Sequence, residues 1–196
     1  MRLLIVGAGG IGSWFSRYLS NAVESNQFGA REAIKIIIVD YDDVEEKNLR
    51  YQDFTEEDLY DNKAYVMSNR YRFDHKVERV TDLNPYTNFD YVISCVDNTT
   101  FRDHLFNSFH TVGPYWIDMR SEGTSIALFT KHKKNSLDTL LSTIPKEVKS
   151  GSCQRADDLK TNTIQHGNVI VSAIGIQFLL NHFRRKTNPP NYIHNF

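Results

Sequence analysis

Short apolar runs and longer amphipathic stretches alternate along most of the chain. Residues 3–6, 34–40 and 91–96 are runs in which apolar residues predominate, and such runs are typical of strands buried on both faces of a parallel sheet. The glycine-rich segment 7–12 follows the first run, and from Ser13 onward apolar residues recur at helical spacing. Strand, glycine turn, helix and strand together predict a βαβ unit.

The remaining pattern predicts further strand–helix repeats and a closing helix. The predicted strands are residues 75–80, 91–96, 115–118 and 124–129, and the predicted helices are residues 62–72 and about 99–110. Residues 131–163 are polar and weakly periodic, so we expect a long loop there, whereas residues of about 165–184 are expected to form a closing helix. The alternation predicts a single doubly wound α/β domain over residues 1–196, with a Rossmann-like, mostly parallel sheet and helices on both faces.

The composition is that of a globular protein without a strong electrostatic bias. The chain has 196 residues, of which 40% are hydrophobic and 24% charged, and its formal net charge is −1. A sequence-independent nucleic-acid binder carries a clear basic excess, so we expect no direct nucleic-acid binding. Two cysteines, Cys95 and Cys153, are too few for a disulfide framework, and a reducing cytoplasm is the expected location.

Two apolar stretches resemble targeting or membrane segments but are too short for either role. Residues 3–6 are followed at once by glycines, which leaves no room for the core of a signal peptide. Residues 169–180 fall short of the roughly 20 apolar residues that span a bilayer, and a buried helix fits them better. We therefore expect no association with membranes.

Gly7, Gly9 and Gly12 form a G-x-G-x-x-G motif between the first predicted strand and the first predicted helix. In this context the glycines allow a tight turn, close approach of a ligand to the backbone, and close packing of the helix on the strand. Asp40 ends the second predicted strand, where a carboxylate accepts hydrogen bonds from ribose hydroxyls. The arrangement predicts a nucleotide site at the carboxyl ends of the strands, and it suits NAD and adenosine phosphates alike.

Further motifs follow the glycine turn in a defined order. They are the G-x-G-G-I-G of residues 7–12, the D-x-D-x-V of residues 40–44, the N-L-x-x-Q of residues 48–52, Lys63, and the D-N-x-x-x-R of residues 97–102 with Asn107 beyond it. This order, over about the first half of the chain, resembles the ThiF/MoeB family of adenylation domains, which are similar to ubiquitin-activating enzymes. The resemblance implies ATP-dependent adenylation, in which a carboxylate attacks the α-phosphate of ATP and pyrophosphate leaves; the protein mainly positions the reactants and neutralises phosphate charge.

The resemblance also implies roles for individual residues. The implied nucleotide-binding residues are Gly7, Gly9, Gly10, Gly12, Asp40, Asp42, Asn48, Arg50 and Lys63. Arg50, Lys63 and Asp97 are implied to act in catalysis, with Asp97 as a ligand of Mg²⁺, a cation that prefers carboxylate and phosphate oxygens. A plain dehydrogenase has no comparable need for this cationic set, which favours ATP over NAD.

Arg50 departs from the family pattern by one position. The family's N-L-x-R-Q has arginine immediately before glutamine, whereas this chain has Tyr51 there and Arg50 one place earlier. In a helix, one position turns a side chain by about 100°. Either Arg50 still reaches the phosphates through an irregular backbone, or another arginine, such as Arg17, takes its place.

Cys153 lies in the predicted long loop, between Lys149 and Arg155. Many family members carry a loop cysteine whose thiolate takes the activated acyl group, and Cys153 is compatible with that role or with that of an incidental loop cysteine. Cys95, inside an apolar run, is expected to fill space in the core. The two Cys-x-x-Cys pairs that hold structural zinc in many members cannot form from two cysteines.

Three functional hypotheses follow for the whole chain. The first is adenylation of the C-terminal carboxylate of a ubiquitin-like or sulfur-carrier protein on a separate chain, by a homodimer. The second is adenylation of a small peptide or of a tRNA-linked carboxylate. The third is a non-catalytic nucleotide-binding homologue or scaffold, and a dinucleotide oxidoreductase is a more distant fourth.

Overall fold

The strands and helices alternate along the chain much as the apolar runs predict. The computed structural model describes residues 1–30, 33–145, 160–161 and 163–196. Within them the elements are β1 (Arg2–Val6), α1 (Gly10–Glu24), β2 (Lys35–Val39), α2 (Lys63–Tyr71), β3 (Asp74–Lys76), β4 (Tyr91–Ser94), α3 (Thr99–Phe109), β5 (Tyr115–Glu122), β6 (Ser125–Thr130), α4 (Leu137–Ser142), α5 (Gly167–Phe183) and β7 (Asn191–Asn195). Short 3₁₀ helices occupy Glu46–Arg50, Glu56–Asp58 and Asn84–Tyr86. In these ranges no helix is long and apolar enough to cross a membrane.

The strands of the described segments form one sheet in the order β3-β2-β1-β4-β5-β6-β7. The pairs from β3 to β5 are parallel, with Leu4 of β1 opposite Ile37 of β2 and Val92 of β4. The last two pairs, β5 with β6 and β6 with β7, are antiparallel. The predicted doubly wound, mostly parallel α/β fold is therefore confirmed. From β1 the chain first adds β2 and β3 on one side and then returns to add β4 and β5 on the other. The carboxyl ends of the strands at such a switch point are where sheets of this kind bind ligands.

Helices cover both faces of the sheet, which explains why the apolar runs are continuous. Leu3 and Ile5 of β1 belong to a core cluster formed with α1, α2 and α5, whereas Leu4 and Val6 belong to a second cluster formed with α3 and α4. Successive side chains of a strand point to opposite faces, so every position of a doubly covered strand is buried. Each such side chain that leaves water contributes about 1.5–3 kcal/mol. A charged residue at any of the four positions would break this packing.

The predicted strand 75–80 is shorter in the structure, and this difference shapes the site. Only Asp74–Lys76 pair with β2, and residues 77–80 leave the sheet. The side chains of β3 are all exposed, so no apolar face holds the following residues in the sheet. Residues 78–80 instead line a cavity at the carboxyl ends of the strands.

The predicted loop 131–163 contains a helix that the polar composition conceals. Ser136 caps α4 by accepting a hydrogen bond from the Thr139 N–H at 3.1 Å, and Leu140 is buried against the α3 face. Six residues are too few for helical periodicity to appear in the sequence. The edge strand β7 also lies outside the predicted elements, because its exposed residues carry no apolar run.

Candidate functional site

The turn between β1 and α1 has the geometry that its glycines predict. Gly7 adopts a φ of +94°, in the left-handed region that only glycine enters without strain. A Cβ on Gly12 would lie 1.9 Å from the Gly7 carbonyl oxygen, so α1 approaches β1 more closely than any side chain allows. A Cβ on Gly9 would meet nothing within 4 Å. The turn therefore leaves open space in front of the N-terminus of α1, where backbone N–H groups and the helix dipole favour an anion.

Asp40 ties this turn to the end of β2. Its Oδ2 accepts a hydrogen bond from the Ala8 N–H at 2.6 Å, and its Oδ1 accepts one from the Asp42 N–H at 2.9 Å. Burial raises the pKa of Asp40, although the two N–H groups and Lys63 act in the opposite direction. Charge-assisted bonds of this kind contribute roughly 1.5–3 kcal/mol each. Asp40 therefore orders the glycine turn itself, in addition to lying where a ribose is expected.

Lys63 is a buried cation at the start of α2. Lys63 is only 6% exposed, and its Nζ lies 3.7 Å from Oδ2 of Asp42. Asn62 positions it, because the Asn62 side chain caps α2 through the Tyr65 N–H and donates to the carbonyl oxygens of Asp40 and Asp42. An ammonium group is costly to bury without a close partner. A distant, half-exposed carboxylate leaves Lys63 suited to a further anion.

Asn48 and Arg50 lie on the same 3₁₀ helix but in different environments. Asn48 is buried, and its Oδ1 accepts a hydrogen bond from the Glu45 N–H at 2.9 Å. Arg50 is exposed at the end of the helix and is not among the described residues that line the cavity. Arg17, the alternative, pairs with Asp53 at 3.2 Å.

A cavity of about 280 Å³ lies at the carboxyl ends of the parallel strands. Its lining includes Gly7, Gly9, Gly10, Asp40, Tyr41, Asp42, Glu45, Lys47, Asn48, Gln52, Lys63, Glu78, Arg79, Val80, Cys95, Asp97 and Asn98. Among these described residues, three cations (Lys47, Lys63 and Arg79) face five carboxylates (Asp40, Asp42, Glu45, Glu78 and Asp97). Side chains alone therefore give the cavity no excess of positive charge. A polyphosphate would need backbone N–H groups and a divalent cation in addition to Lys63.

Asp97 is exposed at the mouth of this cavity, on the short loop between β4 and α3. Asn98 caps α3, accepting hydrogen bonds from the Thr100 and Phe101 N–H groups at 2.9 and 3.3 Å. Groups of three or more His, Cys, Asp or Glu side chains able to hold a metal do not occur among the described residues. One carboxylate nevertheless suits Mg²⁺, which is often held by one or two carboxylates together with phosphates and waters.

A buried ion-pair network holds the backbone next to Asp97. Asp118 on β5 is fully buried and accepts hydrogen bonds from Arg102 Nε at 3.2 Å, Arg120 Nε at 2.7 Å and Ser94 Oγ at 2.7 Å. Arg102 also donates to the Val96 carbonyl oxygen at 2.5 Å. Burial by itself would raise the pKa of Asp118, but the two guanidinium groups and Ser94 outweigh it and lower that pKa. The arginine of the D-N-x-x-x-R motif thus anchors the backbone beside Asp97.

The structure brings most of the sequence-predicted residues together. Gly7, Gly9, Gly10, Asp40, Asp42, Asn48, Lys63 and Asp97 line one cavity. Gly12 lies beneath it, against Gly7 and Cys95, and Cys95 is buried, as expected. Cys153, with the rest of residues 146–159, lies outside the described residues.

The cavity lining also includes Tyr41, Lys47 and residues 78–80, which the sequence motifs do not predict as site residues. Tyr41 and Lys47 lie beside motif residues, so their position in the sequence was the available signal. Residues 78–80 reach the cavity only because β3 ends early. A strand boundary of this kind has no clear signal in a polar segment.

The fold and the cavity define a doubly wound α/β protein with a nucleotide-type site at the switch point of its sheet. The sequence profile of the ThiF family matches residues 1–196. The chain therefore belongs to the ThiF family, as the motifs predict.

Solved structures similar to this chain include two of MccB and one of PaaA. Escherichia coli MccB with ATP is 15% identical, with a TM-score of 0.66 over 100% of this chain and 63% of its own. The microcin C7 biosynthetic enzyme MccB with N-formylated MccA is 14% identical, with a TM-score of 0.67 over 100% of this chain and 64% of its own. PaaA is 16% identical, with a TM-score of 0.65 over 100% of this chain and 60% of its own. The chain thus spans about three fifths of the length of these structures, and no curated protein sequence matches it significantly.

Proposed function

We propose that this protein activates a carboxylate by ATP-dependent adenylation. The observation that carries the proposal is a buried lysine, Lys63, in the same cavity as the glycine turn and Asp40. The ThiF family profile and the fold shared with MccB, which has been solved with ATP, support it. A dinucleotide oxidoreductase needs the glycine turn and an acid at the end of β2, but it has no use for a buried ammonium beside the phosphates.

The proposed reaction moves the adenylyl group from pyrophosphate to the carboxylate. A carboxylate oxygen forms a bond to the α-phosphorus, the bond between that phosphorus and the bridging oxygen of the β-phosphate breaks, and pyrophosphate leaves with the electron pair. Lys63 neutralises negative charge on the phosphates as they separate, and the N–H groups at the start of α1 hold phosphate oxygens. Asp40 orients the ribose and keeps the turn ordered.

A magnesium ion fits the charge balance of this cavity. Of the described lining side chains, more carry negative than positive charge, so a nucleotide triphosphate needs a cation of its own. Asp97 would hold Mg²⁺ together with phosphate oxygens, and the ion would neutralise the charge of the leaving pyrophosphate.

The proposed substrate is the C-terminal carboxylate of a ubiquitin-like or sulfur-carrier protein on a separate chain, bound by a cytoplasmic homodimer. The structural likeness to MccB with N-formylated MccA favours a second candidate, a peptide carboxylate. The two candidates are compared directly by supplying each to the same adenylation assay.

ATP with Mg²⁺ should bind to the purified protein in preference to NAD, because Lys63 and the helix N-terminus provide sites for a chain of phosphates. Isothermal calorimetry with both ligands measures this preference. Exchange of labelled pyrophosphate into ATP, dependent on an added carrier protein or peptide, then tests the reaction. Tight NAD binding with no response to ATP would show that the proposal is wrong, whereas ATP binding without exchange for any carboxylate favours the scaffold hypothesis.

Cys153→Ser should leave pyrophosphate exchange unchanged, because adenylation precedes any attack by a thiol. If Cys153 takes the activated acyl group, mass spectrometry of the wild type incubated with carrier and ATP detects a covalent adduct that hydroxylamine cleaves. The variant should lack this adduct. An adduct that persists in Cys153→Ser would assign the acyl acceptor to another group, and a wild type without an adduct would be an adenylation-only enzyme.

A further inference from the structure

The cavity continues from the glycine turn to the edge of the sheet. In doubly wound folds the phosphates lie at the glycine turn after the first strand, and the ribose lies at the acid that ends the second. Here those positions are Gly9 and Asp40, at the ends of β1 and β2, and β3 is the next strand outward. A nucleotide laid along this edge has its base above the end of β3, where residues 78–80 line the cavity.

Glu78 is the acidic side chain at this end of the cavity, and two donors hold one of its oxygens. The Tyr86 hydroxyl donates to Glu78 Oε1 at 2.7 Å, and Lys76 Nζ lies 3.5 Å from the same oxygen. Tyr86 belongs to the buried core cluster under α3 and is 3% exposed. The Glu78 side chain is 47% exposed, and the Tyr86 hydroxyl therefore holds one carboxylate oxygen while the side chain stays accessible from the cavity.

Tyr86 keeps its proton under ordinary conditions. Burial raises the pKa of Tyr86, and the hydrogen bond to Glu78 raises it further. The hydroxyl consequently remains a donor at neutral pH, and Glu78 keeps a defined orientation as an acceptor. A side chain held in one orientation by a neighbouring donor is better suited to select a ligand than one that rotates freely.

Arg79 and Tyr41 provide a flat surface beside Glu78. The guanidinium carbon of Arg79 lies 5.4 Å from the centre of the Tyr41 ring, and both side chains are exposed and line the cavity. A guanidinium plane and an aromatic ring both stack on nucleobases. The base end of the cavity thus combines a stacking surface with a fixed acceptor.

We infer that Glu78 selects adenine by accepting a hydrogen bond from its 6-amino group. A carboxylate accepts hydrogen bonds and donates none, so it favours an amino group and disfavours a carbonyl oxygen at that position. Hypoxanthine, which has a carbonyl oxygen there, would face Glu78 with a second acceptor. This inference rests on the proposed use of ATP and adds the residue that reads the base.

The test compares ATP with purine riboside 5′-triphosphate, which has the same ring without the amino group. Calorimetry of the wild type should show that ATP binds about tenfold to a hundredfold more tightly, as expected for a hydrogen bond to a charged group. In Glu78→Ala this preference should fall to near one, while the affinity for the purine riboside analogue is unchanged. Glu57→Ala, which removes an exposed acid outside the cavity, should keep the full preference.

Tyr86→Phe provides a second test that keeps the aromatic ring in the core and removes only the donor to Glu78. It should reduce the preference for ATP without abolishing it, and circular dichroism checks that the variants remain folded. An undiminished preference for ATP in Glu78→Ala, or tighter binding of GTP than of ATP by the wild type, would overturn the assignment of Glu78. A wild type that binds none of these nucleotides would overturn the proposed function as well.

Discussion

Lys63→Met should slow pyrophosphate exchange by about 100- to 1000-fold, the cost of removing one preorganised charge-stabilising group from an active site. The lysine is 6% exposed and lies 3.7 Å from Asp42, a carboxylate whose own side chain is 52% exposed. The protein therefore offsets its charge through a long ion pair with Asp42 and through-space interaction with Asp40, and not through a close ion pair. Phosphate oxygens entering the cavity would be its strongest partners, and methionine fills similar volume without the charge.

Lys35→Met is the matched control for this substitution. Lys35 is the exposed first residue of β2, at the opposite end of the strand from the cavity, and it pairs with Asp74 at 3.3 Å. A surface pair of this kind contributes about 0–1 kcal/mol, so exchange should be unaffected. Equal exchange rates in Lys63→Met and the wild type would remove Lys63 from the proposed mechanism.

Asp118→Asn should lower the free energy of unfolding by about 3–5 kcal/mol, because the change leaves two buried guanidinium groups without their counter-charge. Arg102 and Arg120 have side chains that are 9% and 15% exposed, and both contact the fully buried Asp118. Urea denaturation at neutral pH measures the loss. Asp103→Asn, on the exposed side of α3, should change stability by less than about 0.5 kcal/mol.

The pH dependence of stability gives an independent test of this ion pair. The pKa of Asp118 is lower in the folded protein than its usual 3.8, so its ionised form stabilises the fold above that pH. This contribution is lost as pH falls below 3.8 toward the folded-state pKa. The difference between wild type and Asp118→Asn should therefore be constant near neutral pH and shrink in acid. A difference that persists unchanged in acid would show that packing, rather than charge, determines the effect.

The network also connects the site to a more distant segment. Arg120 donates from Nη1 to the Thr143 carbonyl oxygen, just beyond α4, at 2.7 Å, while Arg102 holds the carbonyl oxygen of Val96. Asp118 links the two arginines. Weakening the network should therefore disturb the Asp97 loop and the residues after α4 together, and the loss of stability in Asp118→Asn should be accompanied by slower exchange.

The local part of the site follows directly from the sequence. The turn at Gly7, the contact of Gly12 with the Gly7 carbonyl and the carboxylate of Asp40 all lie within one βαβ unit. Their geometry depends on neighbours in sequence and on a connection with a strongly preferred hand. The apolar runs likewise predict a sheet covered on both faces, because burial of every position in a strand requires it.

For Lys63, the sequence motif predicts the role but not the burial. Its position in the ThiF-like pattern predicts a site residue, but its burial depends on Asn62, which caps α2 and holds the backbone of Asp40 and Asp42. The position of Arg50 relative to the cavity, in contrast, is not predicted by the motif. The shift of one residue leaves two alternatives open, and the 3₁₀ helix puts Arg50 at an exposed position, outside the described lining of the cavity.

By itself the sequence determined the family, the doubly wound fold and the placement of the glycine turn and Asp40 at the ends of β1 and β2, because these depend on local patterns with few geometric solutions. Only the tertiary structure decided the end of the cavity beside β3, where Glu78 reaches the lining because β3 stops at Lys76 and the buried Tyr86 donates to it. The pairing of Asp118 with Arg102, 16 positions away on another element, was decided in the same way. Charged residues far apart in sequence carry no signal of their partners, since the free energy that pairs them arises only when folding removes them from water together.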